Sequence, residues 1–284
     1  MTAKIINGKA IAQQIRNDLK HQLAYRRSKG LSIPGLAVIL VGEDAASQIY
    51  VRNKRDACHD IGMNSIAYDL PLHSSEQTLL TLIQKLNVDT QVNGILIQLP
   101  LPKTINTATI LAHINPKKDV DGFHPINLGL LAQGRPYLRP CTPYGVMRLL
   151  EYEKISLKGL NAVIVGASNI VGKPMALELL NAGCTITVCH SATRDLKQAI
   201  QQADLLVSAI GKADIIQSQW IKPNAVVIDI GITRSSSGKL HGDIAFDSAK
   251  LVASYITPVP GGVGPMTVAM LLENTLFAAE NYPH

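Results

Sequence analysis

Aromatic residues are scarce in this sequence of 284 residues, at 4% with a single tryptophan. Proteins that bind single-stranded nucleic acid usually stack bases on several aromatic side chains, so this class is disfavoured. The 27 Lys and Arg residues exceed the 21 Asp and Glu residues, but they are dispersed along the chain. The resulting net charge of +6 suits a small polyanionic ligand equally well. We expect no nucleic-acid partner.

Cysteine and histidine occur without the spacing that metal sites and redox motifs need. Cys58, Cys141, Cys184 and Cys189 form no C-x-x-C pair, and the eight histidines form no H-x-x-x-H pair. We expect reduced cysteines that pack in the interior, and no metal site.

Long apolar segments are also missing. No run approaches the roughly 18 apolar residues of a membrane span, and the N-terminus has no apolar stretch of a signal peptide. Hydrophobic residues nevertheless make up 46% of the chain and charged residues 17%, which is typical of a compact globular protein. We expect a cytoplasmic protein that does not contact the membrane, with about two domains for this length.

Segments with strand and helix patterns alternate, which predicts an α/β fold with parallel sheets. The predicted strands are 36–41, 94–99, 161–165, 185–189, 204–210 and 225–230. The predicted helices are 47–61, 79–86, 106–114, 142–152, 175–182, 196–202 and 268–279. The sequence thus predicts two α/β domains flanking a cleft. Residues 1–140, joined by the C-terminal helix 268–284, would form the first, and residues 141–267 would form a Rossmann-type nucleotide-binding domain.

The segment from Gly166 to Gly172 follows a predicted strand and opens a predicted helix, as a dinucleotide-binding turn does. It reads G-x-S-x-x-x-G in place of G-x-G-x-x-G, with Ser168 at the second glycine. The Ser168 hydroxyl can donate to a phosphate beside the backbone N–H groups of the helix. The alternative is that Ser168 only caps the helix.

The segment after the second Rossmann strand indicates which coenzyme binds. NAD enzymes usually have an Asp or Glu there that holds the ribose 2′-OH. Here the strand is followed by His190, Ser191, Ala192, Thr193 and Arg194, and no carboxylate precedes Asp195. Hydroxyls and an arginine suit a 2′-phosphate, so NADP is favoured over NAD. The alternative is an ordinary polar loop.

Tyr50 and Lys54 are four residues apart on a predicted helix and share one face, with Ser47 a turn earlier. A lysine beside an aromatic ring in a cleft can act as a base when burial or a cationic ligand disfavours its ammonium form. The alternative, and the commoner case for an isolated Y-x-x-x-K, is a surface lysine that extends past a packed tyrosine.

Two further polar residues follow predicted strands or turns in the first domain. Gln98 begins the segment QLPLP at a strand end, where ligands of α/β proteins tend to bind. It can hydrogen-bond Lys54 or a heterocycle, or it can be an amide at the edge of the core. Asp121, in DVDGF, can accept hydrogen bonds from a ring with adjacent N–H groups, or it can form an Asx turn.

The segment PGGVGPMT, from Pro260 to Thr267, combines three glycines and two prolines in eight residues. A flat ligand can lie on such a backbone because almost no side chains cover it. The alternative is a tight connection between two domains.

In the order Y-x-x-x-K, QLPLP, DVDGF, GASNIVGKP and PGGVGPMT, these motifs resemble the bifunctional methylenetetrahydrofolate dehydrogenase and methenyltetrahydrofolate cyclohydrolase family. The resemblance spans nearly the whole chain. It implies NADP-dependent oxidation of 5,10-methylenetetrahydrofolate to 5,10-methenyltetrahydrofolate, followed by hydrolysis to 10-formyltetrahydrofolate.

The resemblance also implies roles for individual residues. Lys54 would be the base of the hydrolytic step, and Gln98 would position it. Ser47 would help hold the catalytic water network, and the loop from Pro260 to Gly262 would pack beside the pterin. The implied catalytic residues are Lys54, Gln98, Tyr50, Asp121 and Ser47. The implied substrate-binding residues are Tyr50, which would stack on the folate, Lys54, Gln98, Asp121, which would anchor the pterin, and Pro260, Gly261 and Gly262.

For the coenzyme, the resemblance implies a site made of Gly166, Ala167, Ser168, Ser191 and Ile232. Ala167 departs from the family pattern, because many relatives have an arginine there that can contact the 2′-phosphate. The resemblance further implies a homodimer and a folate substrate with or without a polyglutamate tail.

Three alternatives remain open. A dehydrogenase of the same family without hydrolytic activity would lack Lys54 or Gln98, and both are present. A different Rossmann oxidoreductase, acting for example on a hydroxy or amino acid, would bind NADP but no folate. A nucleotide-sensing or RNA-binding module would explain the pI near 9.1.

Overall fold

A computed structural model describes residues 2–235 and 238–282 of the chain. Its strands are β1 (Lys4–Ile5), β2 (Gly35–Val41), β3 (Asn64–Leu70), β4 (Gly94–Ile97), β5 (Asn161–Val165), β6 (Thr185–Cys189), β7 (Leu205–Ser208), β8 (Val226–Asp229), β9 (Thr233–Arg234), β10 (Leu240–His241) and β11 (Tyr255–Ile256). Its α-helices are α1 (Gly8–Ser28), α2 (Ala45–Ile61), α3 (Glu76–Val88), α4 (Thr107–His113), α5 (Pro125–Ala132), α6 (Cys141–Tyr152), α7 (Gly172–Asn181), α8 (Leu196–Gln201), α9 (Phe246–Ala249) and α10 (Val263–Asn281).

The chain divides into two compact units, each with its own sheet. The three-stranded unit comprises Gln14–Cys141 and the C-terminal segment from Val268, and the six-stranded unit comprises Thr142–Thr267 and the chain up to Gln13. The sequence had placed residues 1–13 with the other domain. They belong to the six-stranded unit because β1 pairs in parallel with β11, about 250 residues further along.

The sheet of the three-stranded unit is parallel, in the order β3-β2-β4. All residues of the central strand β2, GLAVILV, are buried, as expected for a parallel strand that is covered on both faces. Helix α2 follows β2 directly. It begins after Asp44, whose carboxylate accepts a hydrogen bond from Ser47 N, and ends at Gly62, whose φ is 81°. These local signals place the predicted Y-x-x-x-K motif on α2.

The sheet of the six-stranded unit has the order β1-β11-β8-β7-β5-β6, and all its paired neighbours are parallel. Helix α7 follows β5, and α8 follows β6, in the strand-helix alternation of a Rossmann domain. Buried aliphatic residues of the central strands, such as Val163, Leu206 and Val227, form its core. The predicted α/β class with a Rossmann-type second domain is therefore confirmed.

Every predicted strand and helix has a counterpart at similar bounds, but some elements were not predicted. The largest difference in bounds is at α10, which begins at Val263 and so includes Gly264 and Pro265. The sequence prediction omitted α1, although its buried residues Ile11, Ile15 and Leu19 have helical spacing. It also omitted β3, an edge strand whose alternate residues are exposed.

Within the described residues, no helix is long and apolar enough to cross a membrane. The four cysteines are free and buried, as expected.

Candidate active site

Lys54 and Gln98 are in direct contact in the three-stranded unit. Lys54 Nζ donates a hydrogen bond to Gln98 Oε1 at 3.2 Å. Gln98 itself is held by its own amide, since Nε2 donates to Leu99 O at 2.7 Å and its backbone N donates to Ile39 O at 2.9 Å. The amide oxygen therefore faces the lysine. The predicted hydrogen bond between Gln98 and Lys54 is therefore present, and a contact of Gln98 with a heterocycle stays a prediction.

Ser47 and Tyr50 lie on the same helix as Lys54. Ser47 is buried, and its backbone N donates to Oδ2 of the N-cap residue Asp44 at 2.8 Å. The Tyr50 side chain is 44% exposed, whereas Lys54 is half-buried. The alternative of a lysine that extends past a packed tyrosine does not fit, because the Tyr50 ring is exposed. The ring can therefore contact a ligand.

The carboxyl group of Asp121 interacts electrostatically with Lys54. Burial raises the pKa of Asp121, while the Lys54 ammonium and the Cys141 thiol act against that rise. The following residue, Gly122, has a φ of 75°, and a Cβ there would lie 2.4 Å from Pro140 N. The structure therefore brings together Lys54, Gln98 and Asp121, which are far apart in sequence.

The Asx-type role that was an alternative for Asp121 belongs instead to Asp119. This buried carboxylate accepts hydrogen bonds from the backbone N of Phe123 and His124 at 3.2 and 2.8 Å, and from Asn127 Nδ2 at 2.8 Å. Burial raises the pKa of Asp119 to about 7, against the effect of these donors. Asp119 fixes the turn that presents Asp121, and the sequence reasoning missed it.

Lys118 was also missed, because its partners are carbonyls that no motif reveals. The side chain is fully buried, and Nζ donates to Leu86 O at 3.0 Å and to Asp89 O at 2.7 Å. These carbonyls belong to the C-terminal end of α3, where a cation is favourable. Lys118 therefore anchors the segment that contains Asp119 and Asp121.

In the six-stranded unit, the turn between β5 and α7 has the glycine requirements of a dinucleotide-binding turn. Gly166 has a φ of 121°, and a Cβ on Gly172 would lie 1.9 Å from Gly166 O. Ser168 Oγ accepts hydrogen bonds from Val171 N at 3.1 Å and from Gly172 N at 3.3 Å. Ser168 thus binds N–H groups at the start of α7, although the N-cap residue itself is Val171. The Ser168 hydroxyl proton is still available for a phosphate, because a hydroxyl can accept and donate at once.

The loop after β6 lies beside this turn, since β5 and β6 pair and Gly166 N donates to Cys189 O at 2.9 Å. His190 N donates to Thr193 Oγ1 at 2.9 Å, so the threonine hydroxyl accepts a hydrogen bond within the loop. Asp195 accepts a hydrogen bond from Gln198 N at 2.8 Å and caps α8. Ser191 is exposed and is left as the hydroxyl that faces solvent in this loop.

Two buried carboxylates support the loops at the carboxyl ends of β7 and β8, and neither was predicted. Asp243 Oδ1 and Oδ2 accept hydrogen bonds from Ser208 Oγ and from the backbone N of Ile210, Gly211 and Lys212. Asp229 accepts from the backbone N of Gly231, Asp243 and Ile244. The available signal was an aspartate at the end of the apolar run VVID.

These carboxylates leave no room for side chains on the glycines that face them. A Cβ on Gly231 would lie 2.0 Å from Asp243 Oδ1, and one on Gly242 would lie 2.1 Å from Asp229 Oδ2. Ile232, a predicted coenzyme residue, follows Gly231 and is 39% exposed. Asp229 and Asp243 therefore fix the backbone from which Ile232 projects.

The loop from Pro260 to Gly262 lies in the six-stranded unit and packs on the start of α1. A Cβ on Gly8 would lie 1.9 Å from Gly262 O, and Lys9 N donates to Gly261 O at 2.9 Å. Gly261 needs its positive φ of 104°, but a Cβ there would have no neighbour within 4 Å. Part of the glycine content thus serves packing within the chain, and the role of the loop as a substrate contact stays a prediction.

Comparison with known proteins identifies the chain. Residues 6–121 match the model of the tetrahydrofolate dehydrogenase/cyclohydrolase catalytic domain, and residues 140–282 match that of the NAD(P)-binding domain of the same family. The chain belongs to the tetrahydrofolate dehydrogenase/cyclohydrolase family. The three-stranded unit contains most of the catalytic-domain match, and the six-stranded unit most of the NAD(P)-binding match.

Solved structures of family members resemble this one over their full length. The bifunctional methylenetetrahydrofolate dehydrogenase/cyclohydrolase of Campylobacter jejuni is 50% identical, with a TM-score of 0.96 over 98% of this chain and 99% of that one. The Trypanosoma brucei dehydrogenase-cyclohydrolase, complexed with NADP and an inhibitor, is 38% identical, with a TM-score of 0.95 over 99% and 98%. A silkworm (Bombyx mori) methylenetetrahydrofolate dehydrogenase is 40% identical, with a TM-score of 0.93 over 98% of each chain.

Membership in the tetrahydrofolate dehydrogenase/cyclohydrolase family decides among the alternatives that composition left open. The family match covers both units, so neither an unrelated Rossmann oxidoreductase nor an RNA-binding module accounts for the three-stranded unit. The matched motifs place Lys54, Gln98 and Asp121 in the catalytic domain of the family.

Proposed function

We propose that this chain is a bifunctional enzyme of one-carbon folate metabolism, which oxidises 5,10-methylenetetrahydrofolate with NADP and hydrolyses the 5,10-methenyl product to 10-formyltetrahydrofolate. The observation that carries the proposal is the hydrogen bond between Lys54 and Gln98 beside Asp121, in a chain of this family. A dehydrogenase alone has no need of this lysine, because oxidation at the methylene carbon requires no general base.

For the oxidation, the chain supplies positioning. The substrate loses a hydride from its methylene carbon, and the two flanking nitrogens stabilise the resulting cation, so orientation matters more than acid or base catalysis. NADP, when bound, accepts that hydride. Asp121 is proposed to anchor the pterin through its carboxylate, Tyr50 to stack on the folate, and Pro260, Gly261 and Gly262 to contact it.

For the hydrolysis, Lys54 is proposed as the base. Water adds to the methenyl carbon, the bond from that carbon to N5 breaks with N5 taking one of the water's protons, and the other proton must leave as 10-formyltetrahydrofolate forms. The cationic substrate disfavours the ammonium form of a neighbouring lysine, which favours a free amine that can take this proton. Gln98 directs the lysine by accepting its hydrogen bond, and Ser47 is proposed to help hold the water.

The geometry of the six-stranded unit fits NADP better than NAD. The Asp195 carboxylate, which is the acidic group nearest to the predicted ribose position in sequence, is already used as a helix cap. Arg194 is exposed, and within residues 2–235 and 238–282 it has no ion-pair partner. We propose Gly166, Ala167, Ser168, Ser191 and Ile232 as the coenzyme site, with Arg194 supplying the positive charge that Ala167 lacks.

The decisive experiment follows NADPH formation and methenyltetrahydrofolate decay by absorbance in wild type, in Lys54→Met and in Lys85→Met. Lys85 is an exposed lysine on α3 and serves as the matched control. We expect Lys54→Met to keep NADPH formation while methenyltetrahydrofolate accumulates and decays only at the rate in buffer. Full hydrolysis by a folded Lys54→Met enzyme would contradict the assignment of the base.

The finer features of the proposal rest on the resemblance to the family. These are a homodimer, a cytoplasmic location and acceptance of polyglutamylated folates. Sedimentation equilibrium of the purified protein tests the first, and a mass of one chain would refute it. The second candidate function, a dehydrogenase without hydrolytic activity, is favoured only if wild type itself lets methenyltetrahydrofolate persist.

A further inference from the structure

Asn274 on α10 is a buried amide that joins two distant segments of the three-stranded unit. The side chain is 4% exposed, and its Nδ2 donates to Val120 O and to Arg139 O, each at 2.9 Å. An amide nitrogen has two hydrogens, so both are used. Val120 directly precedes Asp121, and Arg139 lies two residues before Cys141.

The two segments that Asn274 joins lie against each other backbone to backbone. A Cβ on Gly122 would lie 2.5 Å from Arg139 C and 2.4 Å from Pro140 N, so no side chain fits between them. Cys141 N donates to Asp121 O at 3.3 Å, on the same crossing. The peptide groups on both sides of Asp121 are thus held in place. Val120 O accepts from Asn274 Nδ2 and from Cys141 Sγ, and Asp121 O accepts from Cys141 N.

We infer that Asn274 is a positioning residue for Asp121 and thereby sets the affinity of the enzyme for folates. The inference rests on the proposed function, in which Asp121 binds the pterin. Asn274 does not reach the substrate in this role. It acts by fixing the carbonyl of Val120, which also accepts a hydrogen bond from the Cys141 thiol, a weak donor, at 3.1 Å. Without the amide donor the Val120–Asp121 peptide is held by that weaker bond, and the Asp121 carboxylate can shift.

The variant Asn274→Leu tests the inference, because leucine has the same branched arrangement of side-chain heavy atoms and no donor. A displacement of about 1 Å at a positioning group can cost up to about 100-fold. We therefore expect the KM for 5,10-methylenetetrahydrofolate to rise by about 10- to 100-fold, while the KM for NADP stays unchanged.

The matched control is Thr275→Val, on the next residue of the same helix. Thr275 is fully buried, and its Oγ1 donates to Leu271 O at 2.7 Å, so this variant also loses a buried hydrogen bond but leaves Val120 and Arg139 untouched. We expect both variants to lower the thermal unfolding midpoint and only Asn274→Leu to raise the KM for the folate. An unchanged folate KM in Asn274→Leu, or an equal rise in both variants, would overturn the inference.

Two further measurements separate this inference from the proposed function. If Asn274→Leu does not fold, Asn274→Ser, which keeps one donor on a shorter side chain, takes its place in the same comparison. Equilibrium binding of tetrahydrofolate is measured by calorimetry beside the assays. If wild type is catalytically active but binds tetrahydrofolate no better than the Asn274 variant does, the inference is refuted and the proposed function stands. Wild type without activity and without tetrahydrofolate binding refutes both.

Discussion

The ammonium group of Lys54 and the amide oxygen of Gln98 are 3.2 Å apart and share a hydrogen bond. Replacing the amide by Gln98→Met removes the acceptor and lets the lysine move. We expect hydrolysis of methenyltetrahydrofolate to fall by about 10- to 100-fold, since misplacement of a reacting group has effects of this size. NADPH formation should be retained, because the oxidation needs no base. Gln77→Met, an exposed position on α3, is the control, and an equal loss of both activities would contradict a role specific to hydrolysis.

Arg194 should distinguish NADP from NAD. The 2′-phosphate is present only on NADP, and a charge-assisted hydrogen bond to it contributes about 1.5–3 kcal/mol. Removing the charge with Arg194→Gln should therefore raise the KM for NADP by about 10- to 100-fold and leave the KM for NAD unchanged. The exposed Lys197→Gln is the control for loss of a nearby positive charge. Parallel changes with the two coenzymes would show that Arg194 does not contact the 2′-phosphate.

Gly172 cannot accept a side chain without moving the coenzyme turn. A Cβ there would meet Gly166 O at 1.9 Å and Gly166 C at 2.6 Å, and both are backbone atoms. We expect Gly172→Ala to destabilise the fold by about 1–3 kcal/mol and to weaken NADP binding. Gly129→Ala on α5, where nothing lies within 4 Å of the added Cβ, should instead stabilise by about 0.5–1 kcal/mol. Urea unfolding measures the stability of both variants, and titration with NADP measures their affinity for the coenzyme. A urea midpoint of Gly172→Ala equal to that of wild type would contradict the clash.

Asp229 should make stability depend on pH. Burial raises its pKa to about 7, against the backbone N–H donors that bind it. In the unfolded chain an aspartate titrates near about 3.9, so between these values the folded state binds more protons. Protonated Asp229 therefore adds to the free energy of unfolding at low pH, and this contribution falls as pH rises from about 4 to about 7.

The variant Asp229→Asn should flatten this slope in urea unfolding at a series of pH values. It should not abolish the slope, because Asp119 has a pKa that is also raised to about 7. Asp247→Asn is the control, since the Asp247 carboxylate is exposed on α9 and pairs with Lys250. A slope in Asp229→Asn as steep as that of wild type would contradict the raised pKa of Asp229.

Local patterns predicted the elements that local chemistry determines. The apolar run of β2 and the N-cap before α2 were readable, because burial on both faces and capping each depend on adjacent residues. The spacing of the buried residues of α1 was equally readable, and its omission was an error of interpretation. The two-residue strand β1 was not readable, since its pairing with β11 joins opposite ends of the chain.

The residues of the candidate site also divide into those that local motifs predict and those that only the folded chain reveals. Lys54, Gln98 and Asp121 were predicted from motifs, and the structure places them in one cluster. Asn274 was not predicted, since a polar residue within an apolar helix has no local mark that distinguishes a buried donor from a surface amide. Its acceptors lie more than 130 residues away in sequence.

The sequence by itself determined the α/β class, the order of the helices and strands that it predicted, and the motifs that mark the family, because each depends on residues close together along the chain. Only the tertiary structure decided which carboxylates hold the loops in place. Asp119, Asp229 and Asp243 are buried among backbone N–H donors, whereas Asp247 is exposed. A buried carboxylate needs several donors to offset its lost hydration, and which donors meet it is set by the folded chain alone.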